Sequence, residues 1–437
     1  LRILLINQHF FPEVASSGQI MTELCADMAR DGHTVTVLTG VPSYRPKEQQ
    51  ESANTRPGIL SDDEWQIIAG KFLTFLRKFL HSKIFDLDSV FGIYIIRTYV
   101  YSPHLREDKW RYIQRLLQYL TFFINSLIIA MFLPRQDVVI YLSTPPLLNG
   151  LTAYALKLIK GTVNIYNIQD LYPDVAIKLG VLNNKWIISA CNFVESFLYR
   201  HAAAIVPVGD MMVRVLLQKG ADPNKIEVIP NWTDSEFMRP LGKDTAFSRQ
   251  HGFVNRFVVM YSGNMGLSQG LEVVLRCAEI TKKENILYIL AGGGASRQAL
   301  IEMAESMKLP NVRFLSYQPR ERLPESLSAA DIHLITLKKG LSSYSVPSKV
   351  YGILASGKPL IASVDEDSEI AFITQQAECG IVVKPEDAHA LAEAIIKLYH
   401  EPHILVKMGK NGRAYLEKTN IRSVCSRRYM NLINRVA

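Results

Sequence analysis

Cysteine is scarce and scattered. The 437 residues hold five, Cys25, Cys191, Cys277, Cys379 and Cys425, with no Cys-x-x-Cys pair among them. That spacing offers neither a disulfide framework nor a zinc site, and it suits a reducing compartment. Acidic residues are outnumbered: 41 Asp and Glu against 49 Lys and Arg leave a formal net charge of +8. The excess leans toward anionic partners such as membrane headgroups, phosphates or nucleic acid. Nucleic acid has no further support, since the chain carries no RNA-binding signature, no zinc-finger spacing and no basic run interleaved with aromatics. A signal peptide is not legible either. The opening LRILLIN is too short for an apolar targeting core, lacks a cleavage pattern and reads as the first strand of a sheet. A cytoplasmic protein is therefore the expectation. Long uncharged runs are rare, and one stands out at 116–134, between Arg115 and Arg135. Gln118, Thr121, Asn125 and Ser126 interrupt it. It is compatible with a bilayer span, with a helix lying partly in a membrane face, or with an ordinary buried helix.

What is present is a globular composition, 48% hydrophobic and 21% charged, on a chain long enough for two domains. Short β-branched runs alternate with helical stretches: RILLIN (2–7), TVTVLTG (34–40), GIYIIRTYVY (92–101), DVVIYLST (137–144), VNIYNIQD (163–170), AAIVPVG (203–209) and KIEVIPN (225–231). The series restarts with RFVVMYSG (256–263), ILYILAGGG (286–294), VRFLSY (312–317), DIHLITL (331–337), PLIASV (359–364) and GIVVKP (380–385). Near-continuous apolar strands separated by helices indicate parallel sheets covered on both faces. The reading is α/β, with two tandem Rossmann-like doubly wound domains facing a cleft and joined near 237–253. Ligands of such sheets bind beyond the carboxyl ends of the strands. Within the first domain, KFLTFLRKFLHS (71–82) places Phe72, Phe75 and Phe79 opposite Lys71, Arg77 and Lys78 on a helical wheel. That pattern fits a helix in the headgroup plane of an anionic membrane, or a surface helix packed on its own domain.

Three strand-to-helix turns in the second domain could hold phosphate. In YSGNMGLSQGLE (261–272) a strand ends at Gly263-Asn264-Met265-Gly266, and a helix is expected to start near Ser268. In LAGGGASRQAL (290–300) the device recurs at Gly292, with the helix starting near Ser296. In SVPSKVYGILASGKP (345–359) Pro347 precedes Ser348 and Lys349, and no acidic residue follows in the helix to neutralise the lysine. Glycines admit a ligand close to the backbone, and first-turn amides and a lysine favour an anion. In the first domain, NQHFFPEVASSGQI (7–20) places Gly18 in a loop before a helix. IYNIQDLYPDVAIKLG (165–180) places Gln169 and Asp170 at a strand end. Asp170 reads as a cleft carboxylate or as a loop hydrogen-bond acceptor.

Taken in order, NQHFFPEVASSG, IQDLYPD, VIPNWTD, YSGNMGLSQGLE, LAGGG, VPSKVYGILASGKP and MGKNGRAYLEK (408–418) resemble glycosyltransferase family 4, whose members have the GT-B fold. Gln269-Gly270 combined with Pro347-Ser348-Lys349 is similar to the bacterial L-fucosamine transferase branch of surface-polysaccharide biosynthesis. The resemblance implies an acceptor-binding domain over 1–238 with a membrane-associating insertion at about 45–90 and an apolar helix at 110–134. It implies a nucleotide-sugar-binding domain over 239–403 and a C-terminal helix over 404–437 crossing back to the first domain. It further implies a retaining transfer, without metal or other cofactor, of a sugar from a nucleotide diphosphate donor. UDP carrying an N-acetylated deoxyhexose is the expected donor. The expected acceptor is a lipid-linked saccharide of O-antigen, capsule or exopolysaccharide, at the inner face of the cell membrane. Carried over by position, Gly18, Gly263, Asn264, Gly266, Gln269, Gly292, Ser348 and Lys349 would meet the donor, and backbone around Tyr317 its base. The catalytic role falls to Asp170, because Gln169 stands where many relatives have histidine. The two glutamates usual in the family fall on Tyr344 and Gly352. A catalytically weak or inactive GT-B protein serving an assembly complex, and a nucleotide-sugar epimerase, are the alternatives.

Overall fold

Both faces of each central strand are buried, and this explains the unbroken apolar runs. In β1 (Arg2–Ile6), Ile3 and Leu5 point into one core while Leu4 and Ile6 point into the other. The computed structural model describes residues 1–13, 16–41, 85–101, 111–142 and 147–437. The first domain adds β2 (Thr34–Gly40), β3 (Phe85–Val90), β4 (Ile93–Thr98), β5 (Val138–Leu142), β6 (Val163–Ile168) and β7 (Ala204–Pro207). Its seven-stranded sheet runs β3-β4-β2-β1-β5-β6-β7, and only β3 is antiparallel to its neighbour. Helices Ser16–Arg30 and Arg422–Val436 supply the core on one face. Helices Arg111–Phe132, Asn149–Lys160 and Lys185–His201 supply it on the other.

The second domain holds β8 (Phe257–Ser262), β9 (Ile286–Ala291), β10 (Val312–Leu315), β11 (Ile332–Thr336), β12 (Leu360–Ser363) and β13 (Gly380–Val383). They form a parallel sheet in the order β10-β9-β8-β11-β12-β13. The chain crosses between domains twice, near 231–241 and again at 420–421. The two crossings lie side by side: Thr233 bridges to Ile421, and Asn420 Nδ2 donates to the Asn231 carbonyl at 3.3 Å. Arg413, from helix Pro402–Thr419, donates to the carbonyls of Ser235, Met238 and Ala355 at 2.7–2.9 Å.

Several details depart from the sequence reading. KIEVIPN is not a strand: Pro223–Lys225 is a short 3-10 turn, and only Ile226 bridges, to Ile205. Pro230 cannot donate to a ladder, and the segment runs on into the first crossing. β3 was missed because FDLDSV carries two aspartates. It pairs through a tight turn in which Phe91 and Gly92 both have positive φ. The expected helix at Ser268 is a 3-10 turn, Leu267–Gln269. Gly270 (φ 57°) then redirects the chain before helix Glu272–Ile280. The single C-terminal helix is two helices, Pro402–Thr419 and Arg422–Val436; the first packs on the second domain and the last on the first. The apolar run belongs to helix Arg111–Phe132, which buries Phe122, Ser126, Ile129 and Ala130 against the sheet. Among the described residues no helix is long and apolar enough to cross a membrane. The segment 71–82 lies outside the described residues.

Candidate functional site

A cavity of about 450 Å³ opens between the domains, at the carboxyl ends of β6 and β8. Asp170, Gly263, Asn264, Tyr317, Ser348 and Lys349 all line it. Six of the ten residues singled out from the sequence are thus brought together from four separate stretches of chain.

Lys349 opens the helix Lys349–Ala355, so Pro347 stands before the cap rather than in the first turn. Ser348 occupies the cap position but makes no capping bond, and its side chain is left to the cavity. The Lys349 ammonium rests over the Tyr261 ring, 3.7 Å from its centroid, and donates to Gln269 Oε1 at 3.1 Å. Neither partner carries a negative charge, and among the described residues no carboxylate pairs with it. Burial therefore acts alone and lowers its pKa to about 7. Tyr261 is in turn fixed by its hydroxyl, 2.6 Å from the Asn264 carbonyl and 3.0 Å from Gln269 Oε1. A cation held only by a ring and an amide at a cavity wall has the chemistry to meet an anion.

The glycines divide by task. Gly263 (φ 139°) runs alongside Lys349; a Cβ there would sit 3.4 Å from Nζ. Gly292 does not line the cavity. A Cβ on it would meet the Gly263 carbonyl oxygen at 2.0 Å, so it lets the turns after β8 and β9 nest against each other. Gly266 and Gln269 also lie behind the wall, with Gln269 reaching the cavity only through Lys349. Gly18 lies in helix Ser16–Arg30, not in a loop, and packs on the His9 carbonyl; Ser17 and Gln19 line the cavity instead. Tyr317 lines the wall while its hydroxyl donates to the Gly293 carbonyl at 3.1 Å.

Across the cavity, Asp170 bridges to Ser345, and Leu171 N donates to the Tyr344 carbonyl at 2.9 Å, stitching the two domains at this point. Burial raises the Asp170 pKa, opposed by a hydrogen bond with Ser345. Gln169 is buried with both ends of its amide engaged: Nε2 donates to Asn167 Oδ1 at 2.8 Å, and Oε1 accepts from Asn231 at 2.9 Å. Asn167 continues the chain to the Tyr429 hydroxyl on the last helix. Gln169 is a brace, and Asp170 is the titratable group at this strand end.

Sequence reasoning missed a second group of cavity residues. Glu23 accepts from Arg320 at 2.7 Å and from Trp232 Nε1 at 3.1 Å, an ion pair spanning the two domains. Asp234 caps the turn that follows it, accepting from the amides of Glu236 and Phe237. The VIPNWTD stretch held two of these residues, but no spacing rule links Glu23 to Arg320 across nearly 300 positions. Gly352 also lines the cavity. A Cβ there would make ordinary contacts, 3.5 Å from Leu327 and 3.8 Å from Met238, so the wall at this point is apolar.

Residues 17–232 match the model of the glycosyl transferase 4-like domain, and residues 243–415 match that of glycosyl transferases group 1. Among curated proteins the chain is similar to WcaI of Escherichia coli (strain K12), a protein named for colanic acid biosynthesis and glycosyl transfer. The two are 23% identical over 444 residues, covering 99% of each. Among solved structures it resembles sucrose-phosphate synthase from Thermosynechococcus elongatus, with a TM-score of 0.71 and 17% identity over 99% of this chain and 98% of that one. It also resembles Anabaena HepE in complex with UDP-glucose, with a TM-score of 0.70 and 13% identity over 99% of each. The two matched models meet at the observed domain junction and the solved structures share the whole architecture: the chain belongs to the glycosyltransferases of GT-B fold.

Proposed function

We propose that the protein is a retaining glycosyltransferase of surface-polysaccharide assembly. It would move a sugar from a nucleotide diphosphate, UDP by preference, onto a lipid-linked saccharide at a membrane surface. The observation that carries the reading is Lys349, a cavity-facing ammonium held by Tyr261 and Gln269 with no carboxylate paired to it among the described residues. As the glycosidic bond of the donor breaks, negative charge grows on the departing diphosphate. Lys349, backed by the Ser348 hydroxyl and the glycine-framed turn at Gly263 and Asn264, is placed to stabilise that charge without a metal. Asp170, on the opposite wall, accepts a hydrogen bond from a sugar hydroxyl. The leaving phosphate takes the acceptor proton. Gln169, with both amide ends committed, has no part in proton transfer. The name of WcaI and the UDP-glucose in HepE support the choice of pathway class and base. The Gln269 and Pro347-Ser348-Lys349 combination supports the L-fucosamine transferase branch and an N-acetylated deoxyhexose.

One observation favours a second reading. With glycine at 352 and Leu327 and Met238 around it, that part of the wall offers no side chain to hydrogen-bond a donor, which suits a binding protein without turnover. A screen of nucleotide sugars against membrane lipid extract, read by mass spectrometry, separates the two. A glycosylated lipid product that persists in EDTA and disappears with Lys349→Ala is the expected result. No product together with no UDP binding would establish the second reading.

A further inference from the structure

Three helices lie side by side on one face of the first domain. Lys160, at the end of Asn149–Lys160, donates to the Ala130 and Leu133 carbonyls at the end of Arg111–Phe132. On the other flank Lys157 donates to the His201 carbonyl at 2.8 Å, and the Tyr154 ring meets Phe197 edge-on at 4.7 Å. These ties fix the helices as one layer. Its inner side fills the core with Phe122, Leu156 and Leu198.

The outer side is not polar. Trp186 is 86% exposed, Phe193 72%, Leu158 68% and Ile159 63%, and Ile124 and Ile128 are each about half exposed. Trp186 and Phe193 are seven residues apart and share a stripe of their helix, as Ile124 and Ile128 do on theirs. Scattered apolar residues on a surface need no explanation, but this many large ones on one layer do.

Charge on the layer is of one sign. The three helices carry a single carboxylate, Glu195, and two of their lysines, Lys157 and Lys160, are taken up by the ties between helices. Glu195 is buried, accepting from Lys219 at 2.5 Å and from the Tyr199 hydroxyl at 2.5 Å, so it contributes nothing to the surface. Arg135, Lys185 and Arg200 are exposed at the helix ends. A face of this kind repels a second copy of itself, whose matching patch is equally cationic. It suits an interface that is apolar at depth and anionic above, with aromatic and aliphatic side chains entering and cations staying at the headgroups.

We infer that the outer layer formed by helices Arg111–Phe132, Asn149–Lys160 and Lys185–His201 is the surface by which this protein docks on an anionic lipid bilayer. The inference deepens the proposed function by naming the surface that would bring the cavity to a lipid-linked acceptor. It is independent of the segment at 71–82.

Flotation tests it, using the full chain with vesicles of mixed phosphatidylglycerol and phosphatidylcholine, or of phosphatidylcholine alone. Wild type is expected to float with the mixed vesicles and to remain below with phosphatidylcholine alone. The double variant Trp186→Ser/Phe193→Ser is expected to lose roughly tenfold or more in partitioning. Because both side chains face solvent, the variant should keep its fold, and calorimetry with UDP should give the wild-type heat. The inference is overturned if the variant floats like wild type, or if wild type floats equally with phosphatidylcholine or not at all. It is also overturned if light scattering without vesicles shows a dimer that the substitutions dissolve. Failure of wild type to bind UDP would instead sink the proposed function and leave the flotation result standing.

Discussion

If Lys349 grips the donor diphosphate, affinity must fall as pH rises through neutrality. Burial lowers the Lys349 pKa to about 7, with no carboxylate among the described residues to restore it. A bound diphosphate favours the charged form and raises that pKa. Binding therefore draws in a proton wherever the free lysine is neutral. At pH 6 the free lysine is already charged and little is lost. At pH 8 about nine-tenths of it is neutral, which weakens binding about tenfold, or about 1.4 kcal/mol. The perturbation is pH alone. The ligand should be an intact UDP-sugar, whose phosphates, unlike a terminal phosphate, do not titrate in this range. Calorimetry in buffers of different ionisation enthalpy reads both quantities: affinity, and protons taken up, rising from near zero at pH 6 to nearly one at pH 8. Lys349→Met should remove the pH dependence and cost roughly 10- to 150-fold in affinity, the worth of a charge-assisted hydrogen bond. Affinity that is flat from pH 6 to 8, or zero proton uptake at pH 8, would refute the reasoning.

Gly292→Ala should be among the most damaging single changes. Its Cβ would strike the Gly263 carbonyl oxygen at 2.0 Å in a backbone of φ 137°; a loss of about 3 kcal/mol or more is expected, visible as insoluble expression or a collapsed denaturation midpoint. Gly352→Ala should behave oppositely, because position 352 is inside a helix and has space. Chemical denaturation should show a gain of up to about 1 kcal/mol. Arg413→Ala removes a guanidinium from three carbonyls near the first crossing, at a cost of about 2–4 kcal/mol. Hydrogen exchange should rise at 235–238 well before it rises in β8.

Much of this was legible in the chain because apolar periodicity and glycine punctuation are local. RILLIN and FVVMYS announce buried parallel strands on their own, and Gly263 and Lys349 mark strand-end turns wherever they fall. The failures have physical causes too. KIEVIPN has the composition of a strand, but Pro230 and the demands of the crossing override it. Gly292 resembles Gly263 in sequence, yet one faces a ligand space and the other a carbonyl, and only packing across β8 and β9 distinguishes them. Gln269 reads as a ligand contact and serves instead to hold Lys349. The Glu23–Arg320 pair joins residues with no periodic or compositional relation, so only the folded chain brings it into view.

The paired crossings between the domains set how this cavity can open. One connecting strand would allow the domains to swivel, slide and tilt. Here two run abreast, linked by the Thr233–Ile421 bridge and fastened by Arg413 and Asn420. A double hinge of that kind leaves one easy motion, rotation about the line of the crossings, like a book about its spine. A rotation about that line would swing Glu23 from Arg320 and Asp170 from Ser345 along a single arc. Opening the cavity and parting the two walls would then be the same movement.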